Sequence, residues 1–259
     1  MSALAAALIA QVTALLPAGL RVVGLAAVAP GLSYQQAPAQ VRLALALSLA
    51  VVIAPVAGAP PATADPLQYI GLCVTELLFG IALGFVASAV FEALRLAGEV
   101  LDLQIGLSAG QLFDPASGTQ SGILSTGYSL LALLFFVTLN GHHWLVRGIA
   151  GSFAVVPLGA AQIGAEIPAL VSGLGTSVLV MGLRTAGPVM GALLLADLAF
   201  GLVARAVPQI NVFLVGIPGK IALGLAIAAV AAPALLTNVE RVTECASRYL
   251  DATMRAFGG

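Results

Sequence analysis

Residues 69–94 read YIGLCVTELLFGIALGFVASAVFEAL, and this stretch decides the class of fold. It exceeds the roughly 20 predominantly apolar residues that an α-helix needs to cross a bilayer. Gly80 and Gly84 lie one helical turn apart, a small-xxx-small spacing that lets helices approach closely, and Gly187 and Gly191 repeat it. The stretch therefore predicts a membrane helix that packs against another helix through its glycines.

The composition of the 259-residue chain is that of a membrane protein, because 60% of its residues are hydrophobic and only 8% are charged. Soluble domains are about 45–50% apolar and about 25% charged. A net charge of −1 and a single lysine leave no basic surface for nucleic acid. Two cysteines without a CxxC spacing indicate neither a disulfide framework nor a zinc site. We predict no nucleic-acid partner, no metal and no cofactor.

Six apolar segments follow one another along the chain, and most of them contain a proline or a charge. Pro17, Pro55 and Pro188 fall inside such segments, where a proline removes a hydrogen bond and kinks or breaks a helix. Broken helices are tolerated at membrane depth where they are buried in protein or line a cavity. We predict an all-α integral membrane protein with broken, strongly tilted apolar helices. The segments lie near residues 4–30, 40–58, 69–94, 123–146, 171–204 and 210–237.

The C-terminal residues 239–257 are predicted to form an amphipathic helix. Val242, Tyr249 and Phe257 recur there with helical spacing. Asp251 and Arg255 stand at i,i+4 with the acid first, which is the favourable order for a helical ion pair. Because no internal repeat is visible, we predict one domain over residues 1–259.

The densest polar stretch is residues 95–120, RLAGEVLDLQIGLSAGQLFDPASGTQ. A carboxylate at membrane depth is costly, so a cluster of them is a functional-site hypothesis. Two interpretations stay open. Arg95 can form helical ion pairs with the carboxylates at i−3 and i+4. Alternatively, the acidic side chains form a proton relay, as in pumps. The relay would use Glu76, Glu92, Glu99, Asp102 and Asp197.

Signals for catalysis are weak. Gly106-Leu-Ser108-Ala-Gly110 matches GxSxG, but a nucleophile elbow needs a strand before the serine, and the residues before it indicate a helix. An intramembrane serine protease would need His142 or His143 within hydrogen-bond reach of Ser108. The two histidines are adjacent in sequence and do not share a helical face, which argues against a metal site. We predict that the protein is not an enzyme.

A second polar cluster interrupts the last apolar segments between residues 208 and 220. Amide side chains at membrane depth indicate hydrogen bonding between helices. We expect Lys220 to pair with a neighbouring subunit. The cluster comprises Pro208, Gln209, Asn211, Phe213, Pro218 and Lys220.

Several motifs occur in a fixed order over nearly the whole chain. They are Leu20-Arg21-Val22, Gly80-Ile-Ala-Leu-Gly84-Phe85, Ala97-Gly98-Glu99, Leu103-Gln104-Ile-Gly106-Leu-Ser108, Asp114-Pro115-Ala-Ser117, Leu139-Asn140-Gly141-His142, Pro157-Leu-Gly159, and Pro208-Gln209 with Phe213, Gly216 and Pro218. Together they resemble the FliR family of flagellar export-gate proteins and its injectisome counterparts of the SctT type. The form Asn-Val-Phe-x-Val-Gly-Ile-Pro of the last motif favours the flagellar branch.

The resemblance implies a non-enzymatic core subunit of the flagellar type III protein export gate. Such subunits assemble with FliP and FliQ into a helical cone, and FlhB associates with it. The gate would sit in the bacterial inner membrane as part of the flagellar basal body, in contact with the lipid bilayer, and would pass unfolded flagellar proteins.

The resemblance also assigns residues. In the family, the loop that matches residues 106–122 plugs the pore. Here its candidate residues are Gly106, Leu107, Ser108, Gly110, Leu112, Phe113, Asp114 and Pro115. Candidate structural or subunit contacts are Arg95, Glu99, Gln104, Pro208, Gln209, Asn211, Phe213, Pro218 and Lys220. The alternatives are an SctT-type injectisome subunit, a stand-alone secondary transporter, which would require inverted repeats, and an intramembrane serine protease.

Overall fold

The computed structural model describes residues 3–30, 38–58, 65–107, 122–207 and 212–258, and these ranges are almost entirely α-helical. No strand occurs within them, so the prediction of an all-α fold is confirmed. The helices are α1 (Ala3–Val28), α2 (Ala39–Ala57), α3 (Pro66–Ile105), α4 (Ile123–Thr138), α5 (Gly141–Val155), α6 (Ile167–Ala206) and α7 (Val212–Gly258).

In these ranges, two helical stretches are long and apolar enough to cross a membrane, Pro66–Ala89 and Ile167–Ala206. Helices α4 and α5 meet the same criterion when they are taken together as one broken span, which raises the number to 3. The other three predicted apolar segments correspond to shorter apolar helices, Leu15–Val28, Gln40–Ile53 and Gly216–Ala231. Each predicted apolar segment is therefore helical.

The prolines expected to break helices do not do so. Pro17, Pro55 and Pro188 lie inside the continuous helices α1, α2 and α6. A proline removes one backbone hydrogen bond, and the remaining bonds of a long helix hold the chain on both sides of it. The break occurs instead at Asn140, whose φ of 56° is left-handed. The tail 239–257 is part of α7, which runs without interruption from Val212 to Gly258.

The chain forms two compact units. The first unit comprises Met1–Ala89, Phe136–Gly175 and Cys245–Gly259, and the second comprises Val90–Phe135 and Thr176–Glu244. Helices α3, α4, α6 and α7 each contribute residues to both units. The assignment of residues 1–259 to one domain stays a prediction.

In the first unit, α1 and α3 pack at backbone distance through glycines. A Cβ atom built on Gly84 would lie 2.6 Å from the carbonyl oxygen of Leu25, and one on Gly80 would overlap the backbone of Arg21. The close packing predicted from Gly80 and Gly84 is therefore confirmed. Gly187 and Gly191 have the same spacing, yet a Cβ on either would meet nothing within 4 Å in the described ranges.

In the second unit, helices α3, α4, α6 and α7 build an apolar core together. Leu107, the last described residue before the 108–121 segment, packs against this core. The helix that leads into the candidate plug segment and the helix that follows it are therefore anchored in the same core. Its buried residues are Leu94, Ala97, Leu101, Ile105, Leu124, Tyr128, Ala132, Ala186, Val189, Leu193 and Ala228.

Candidate functional site

Helix α3 ends at a glycine. Gly106 has a φ of 89°, a left-handed conformation that glycine adopts without a steric penalty. The amides of Gly106 and Leu107 donate to the carbonyl oxygen of Asp102, at 3.2 and 3.0 Å. Such bonds satisfy a carbonyl that the end of a helix would otherwise leave unpaired. The sequence thus terminates α3 where the candidate plug segment begins.

Helix α4 begins with a cap supplied from α3. The carboxylate of Asp102 accepts hydrogen bonds from the amides of Leu124, at 2.9 Å, and Ser125, at 2.8 Å. The first amides of a helix have no intrahelical acceptor, and a cap is normally supplied by the residue just before the helix. Asp102, which is 1% exposed, therefore ends one helix with its carbonyl and begins the other with its carboxylate.

We call Asp102, Gly106, Leu107, Leu124 and Ser125 the neck, because together they hold both ends of the chain segment between them. Two glycines bring its parts together. A Cβ atom on Gly98 would overlap the backbone of Ser125, and one on Gly122 would overlap the Asp102 carboxylate. Only glycine allows the two helices to approach so closely at these positions.

The charges that precede the neck form the predicted ion pairs. Arg95 donates to Glu92 through Nε at 2.9 Å and through Nη2 at 2.8 Å, and through Nη1 to Glu99. The three side chains are 37–51% exposed. The hydrogen bond that Arg95 donates to Glu92 is the main reason why the pKa of Arg95 is raised above its usual value. The pairing interpretation of Glu92–Arg95–Glu99 is confirmed.

Lys220 has a partner within the chain, contrary to the expectation of a neighbouring subunit. Its Nζ lies 2.8 Å from Oδ1 of Asp197. Gln104, another candidate subunit contact, places its Nε2 atom 3.5 Å from Oδ2 of the same carboxylate. The Asp197–Lys220 ion pair joins α6 and α7 inside the second unit. The Lys220 side chain is only 19% exposed, and a largely buried charge favours a nearby counter-charge.

The first unit contains a buried ion pair that the sequence patterns did not predict. Arg21 Nε donates to Glu76 Oε2 at 2.6 Å, and both side chains are 0% exposed. Arg21 Nη1 also donates to the hydroxyl of Ser152, at 3.2 Å, and to the carbonyl oxygen of Val156, at 2.9 Å. The amide of Gly159 completes the set by donating to Glu76 Oε1 at 2.9 Å. The pair thus joins α1, α3, α5 and the segment after α5.

Aromatic rings enclose the buried arginine. The guanidinium carbon of Arg21 lies 4.2 Å from the ring centre of Phe153 and 4.7 Å from that of Phe79. Rings at this distance attract a cation through their negative faces. The sequence signal was available: Arg21 and Glu76 are isolated charges in apolar segments. Their partnership was not visible, because 55 residues separate them.

Each carboxylate of the proposed proton relay is bound to a cation or to backbone amides. Glu76 binds Arg21, Glu92 and Glu99 bind Arg95, Asp102 binds backbone amides and Asp197 binds Lys220. A relay requires acidic groups that hand a proton from one to the next. The arrangement favours charge pairing and helix capping over a relay.

Several candidate residues lie outside the described ranges, namely Ser108, Gly110, Leu112, Phe113, Asp114, Pro115, Pro208, Gln209 and Asn211, together with the side chain of Phe213. Pro218 lies within α7. The rings of His142 and His143 have centres 4.2 Å apart and are exposed. No cluster of three or more His, Cys, Asp or Glu side chains in the described part of the chain could hold a metal ion.

The apolar helices, the glycine packing and the paired buried charges define the class: an α-helical membrane protein. The family model described as "Bacterial export proteins, family 1" matches residues 12–245. The chain therefore belongs to this family of bacterial export proteins, and to its FliR branch by the relatives that follow. The expectation drawn from the sequence motifs is confirmed.

The relatives carry the name "Flagellar biosynthetic protein FliR". That of Escherichia coli (strain K12) is 35% identical over 223 residues, which cover 86% of this chain and 85% of the relative. That of Bacillus subtilis (strain 168) is 35% identical over 196 residues, covering 74% and 76%. That of Aquifex aeolicus (strain VF5) is 29% identical over 221 residues, covering 85% and 83%.

Proposed function

We propose that this chain is a core subunit of the flagellar type III protein export gate, and that residues 106–122 contribute a plug to its pore. Membership of the FliR family makes the chain a component of the flagellar type III export apparatus. Its apolar helices agree with a membrane-embedded flagellar component. The proposal adds the bacterial inner membrane and the flagellar basal body as the location.

The neck is the observation that carries the plug assignment. Asp102 bonds to the backbone at both ends of the segment, so its two ends are held in one place. We propose that displacement of the segment between them would leave these hydrogen bonds of α3 and α4 in place. Leu107, Leu112 and Phe113 supply apolar groups that would exclude water from a narrow pore, as in gates that close by dewetting.

The proposed role is non-catalytic and depends on an assembly. We propose FliP, FliQ and FlhB as the partner subunits, and unfolded flagellar proteins as the molecules in transit. Large apolar side chains on α6 support an assembled state, because extended exposed apolar surface marks contact with lipid or protein. They include Leu194 at 53% exposure, Leu195 at 69%, Leu198 at 66% and Leu202 at 69%.

The rival functions have less support. The named relatives are flagellar proteins, which favours the flagellar apparatus over an injectisome. The pairing of the carboxylates supports neither a pump nor a coupled transporter. The serine-protease alternative rests on Ser108, which lies outside the described ranges.

The plug assignment is tested by deleting residues 107–113 and measuring ion leakage across membranes that contain the gate. We expect leakage to rise while the subunits still purify together, because the apolar closure is removed while Asp102 still caps α4 through the amides of Leu124 and Ser125. Leu103→Ser is the matched control. Leu103 is 69% exposed and lies one turn before Leu107, so its substitution leaves the closure in place. A deletion complex that assembles and does not leak would refute the plug.

A further inference from the structure

A cavity of about 500 Å³ opens at the beginning of α5 in the first unit. It is lined by Leu139, Asn140, His143, Trp144 and Arg147. None of these residues belongs to the candidate plug or to the buried Arg21–Glu76 pair. The lining combines a guanidinium, an imidazole, an indole and an amide, all of which can donate hydrogen bonds, and it contains no carboxylate.

The local backbone places these donors together. Asn140 adopts the left-handed conformation, and its carbonyl oxygen accepts the amides of His143, at 3.0 Å, and Trp144, at 3.3 Å. These bonds start α5, and helical spacing then sets Arg147 one turn after His143 on the same face. The imidazole, the indole and the guanidinium are thus held by a helix, and the amide of Asn140 by the turn before it.

Arg147 has no counter-charge in the described ranges, a feature that it shares with Arg205. Arg21, Arg95 and Lys220 each contact a carboxylate within 4 Å. The Arg147 side chain is exposed and makes no ion pair or hydrogen bond with any residue in the described ranges. A free guanidinium beside further donors suits a phosphate group, whose oxygens match its planar fork.

The surroundings favour a lipid as the source of that phosphate. Val137 and Leu139 are 53% and 51% exposed, so apolar surface lies beside the donors in the chain. Trp144 is half-buried, and tryptophan is enriched at the boundary between membrane and water. Acyl chains can cover the apolar side chains while the headgroup meets Arg147 and His143.

We propose that this cavity, which we call the Arg147 site, binds the phosphate headgroup of an anionic phospholipid. The ligand is recognised by its negative charge and its phosphate oxygens, and a zwitterionic lipid, whose own cation offsets the phosphate, binds less well. The inference is independent of the plug, because it concerns a different part of the chain and a different measurement.

The test uses the complete gate complex, reconstituted into nanodiscs that contain equal amounts of phosphatidylglycerol and phosphatidylcholine. After extraction into mild detergent, mass spectrometry of the intact complex counts the lipids that remain bound. We expect phosphatidylglycerol to be retained in preference. Arg147→Gln should lower its retention about fivefold, which is the effect of removing one basic residue near a membrane surface.

Two variants keep the test decisive. Arg147→Lys preserves the positive charge and should retain most of the phosphatidylglycerol. Arg205→Gln is the matched control, since Arg205 is also an exposed arginine without an ion pair in the described ranges. The inference is overturned if Arg147→Gln retains as much phosphatidylglycerol as the unmodified complex, if Arg205→Gln loses as much, or if both lipids are retained equally.

Discussion

The Arg21–Glu76 pair of the first unit and the Glu92–Arg95–Glu99 triad of the second unit join the same chemical groups in opposite surroundings. The pair is fully buried, and Arg21 Nη1 and Glu76 Oε1 make further hydrogen bonds with Ser152, Val156 and Gly159. The triad lies on one helix, and its side chains are 37–51% exposed. Solvent competes with the second set and not with the first.

The difference separates what is easy to predict from what matters for stability. The triad follows from i,i+3 and i,i+4 spacing, yet exposed helical ion pairs contribute only about 0.3–0.5 kcal/mol each. The buried pair cannot be recognised from spacing, yet removal of one member leaves an uncompensated buried charge, which costs about 3–5 kcal/mol. Three predictions test this contrast, from the largest expected effect to the smallest.

The largest effect is expected for Glu76→Gln. The amide keeps the shape of the side chain but leaves the Arg21 guanidinium buried without a counter-charge. We expect the free energy of unfolding to fall by about 3–5 kcal/mol, seen as a lower thermal midpoint and a reduced yield of the solubilised gate complex.

The double variant Arg21→Met/Glu76→Gln identifies the cause. It removes the unpaired charge and replaces the arginine stem by an apolar chain between Phe79 and Phe153. We expect it to be more stable than Glu76→Gln alone, because replacing a buried pair costs less than breaking it. A double variant that is less stable than the single one would show that the hydrogen bonds to Ser152 and Val156 matter more than the charge balance.

A smaller effect is expected for Asp102→Ala at the neck. The substitution removes the cap of α4 and leaves the amides of Leu124 and Ser125 without their acceptor. We expect a loss of about 2 kcal/mol, the upper end for a helix cap, and faster hydrogen exchange at these two amides. Asp102→Asn keeps one acceptor oxygen, so its stability and its exchange rates should lie between those of the unmodified protein and those of Asp102→Ala. Unchanged exchange in Asp102→Ala would contradict the assignment of Asp102 as the cap.

The comparison also shows how far sequence reasoning reaches in this protein. The helical fold, the approach of helices at Gly80 and Gly84, and the Arg95 triad were predictable, because each depends on local spacing or composition. The Arg21–Glu76 and Asp197–Lys220 pairs and the cap by Asp102 were not, because they join residues that are 55, 23 and 22 positions apart. The prolines misled the prediction of helix breaks, since the remaining backbone hydrogen bonds of a long helix hold the chain on both sides of a proline.

The smallest effect is expected for Glu92→Gln, which removes one partner of Arg95 while Glu99 keeps its bond to the same guanidinium. Because Glu92 is 51% exposed, we expect a loss of about 0.5 kcal/mol or less, and a loss that disappears in about 1 M salt, where screening acts over about 3 Å. Thermal unfolding of the complex at low and high salt measures the loss of stability and its dependence on salt. If the loss equals that of Glu76→Gln and persists in salt, then Glu92 is buried against another subunit in the assembled gate. The contrast between the pair and the triad would then hold for the single chain only.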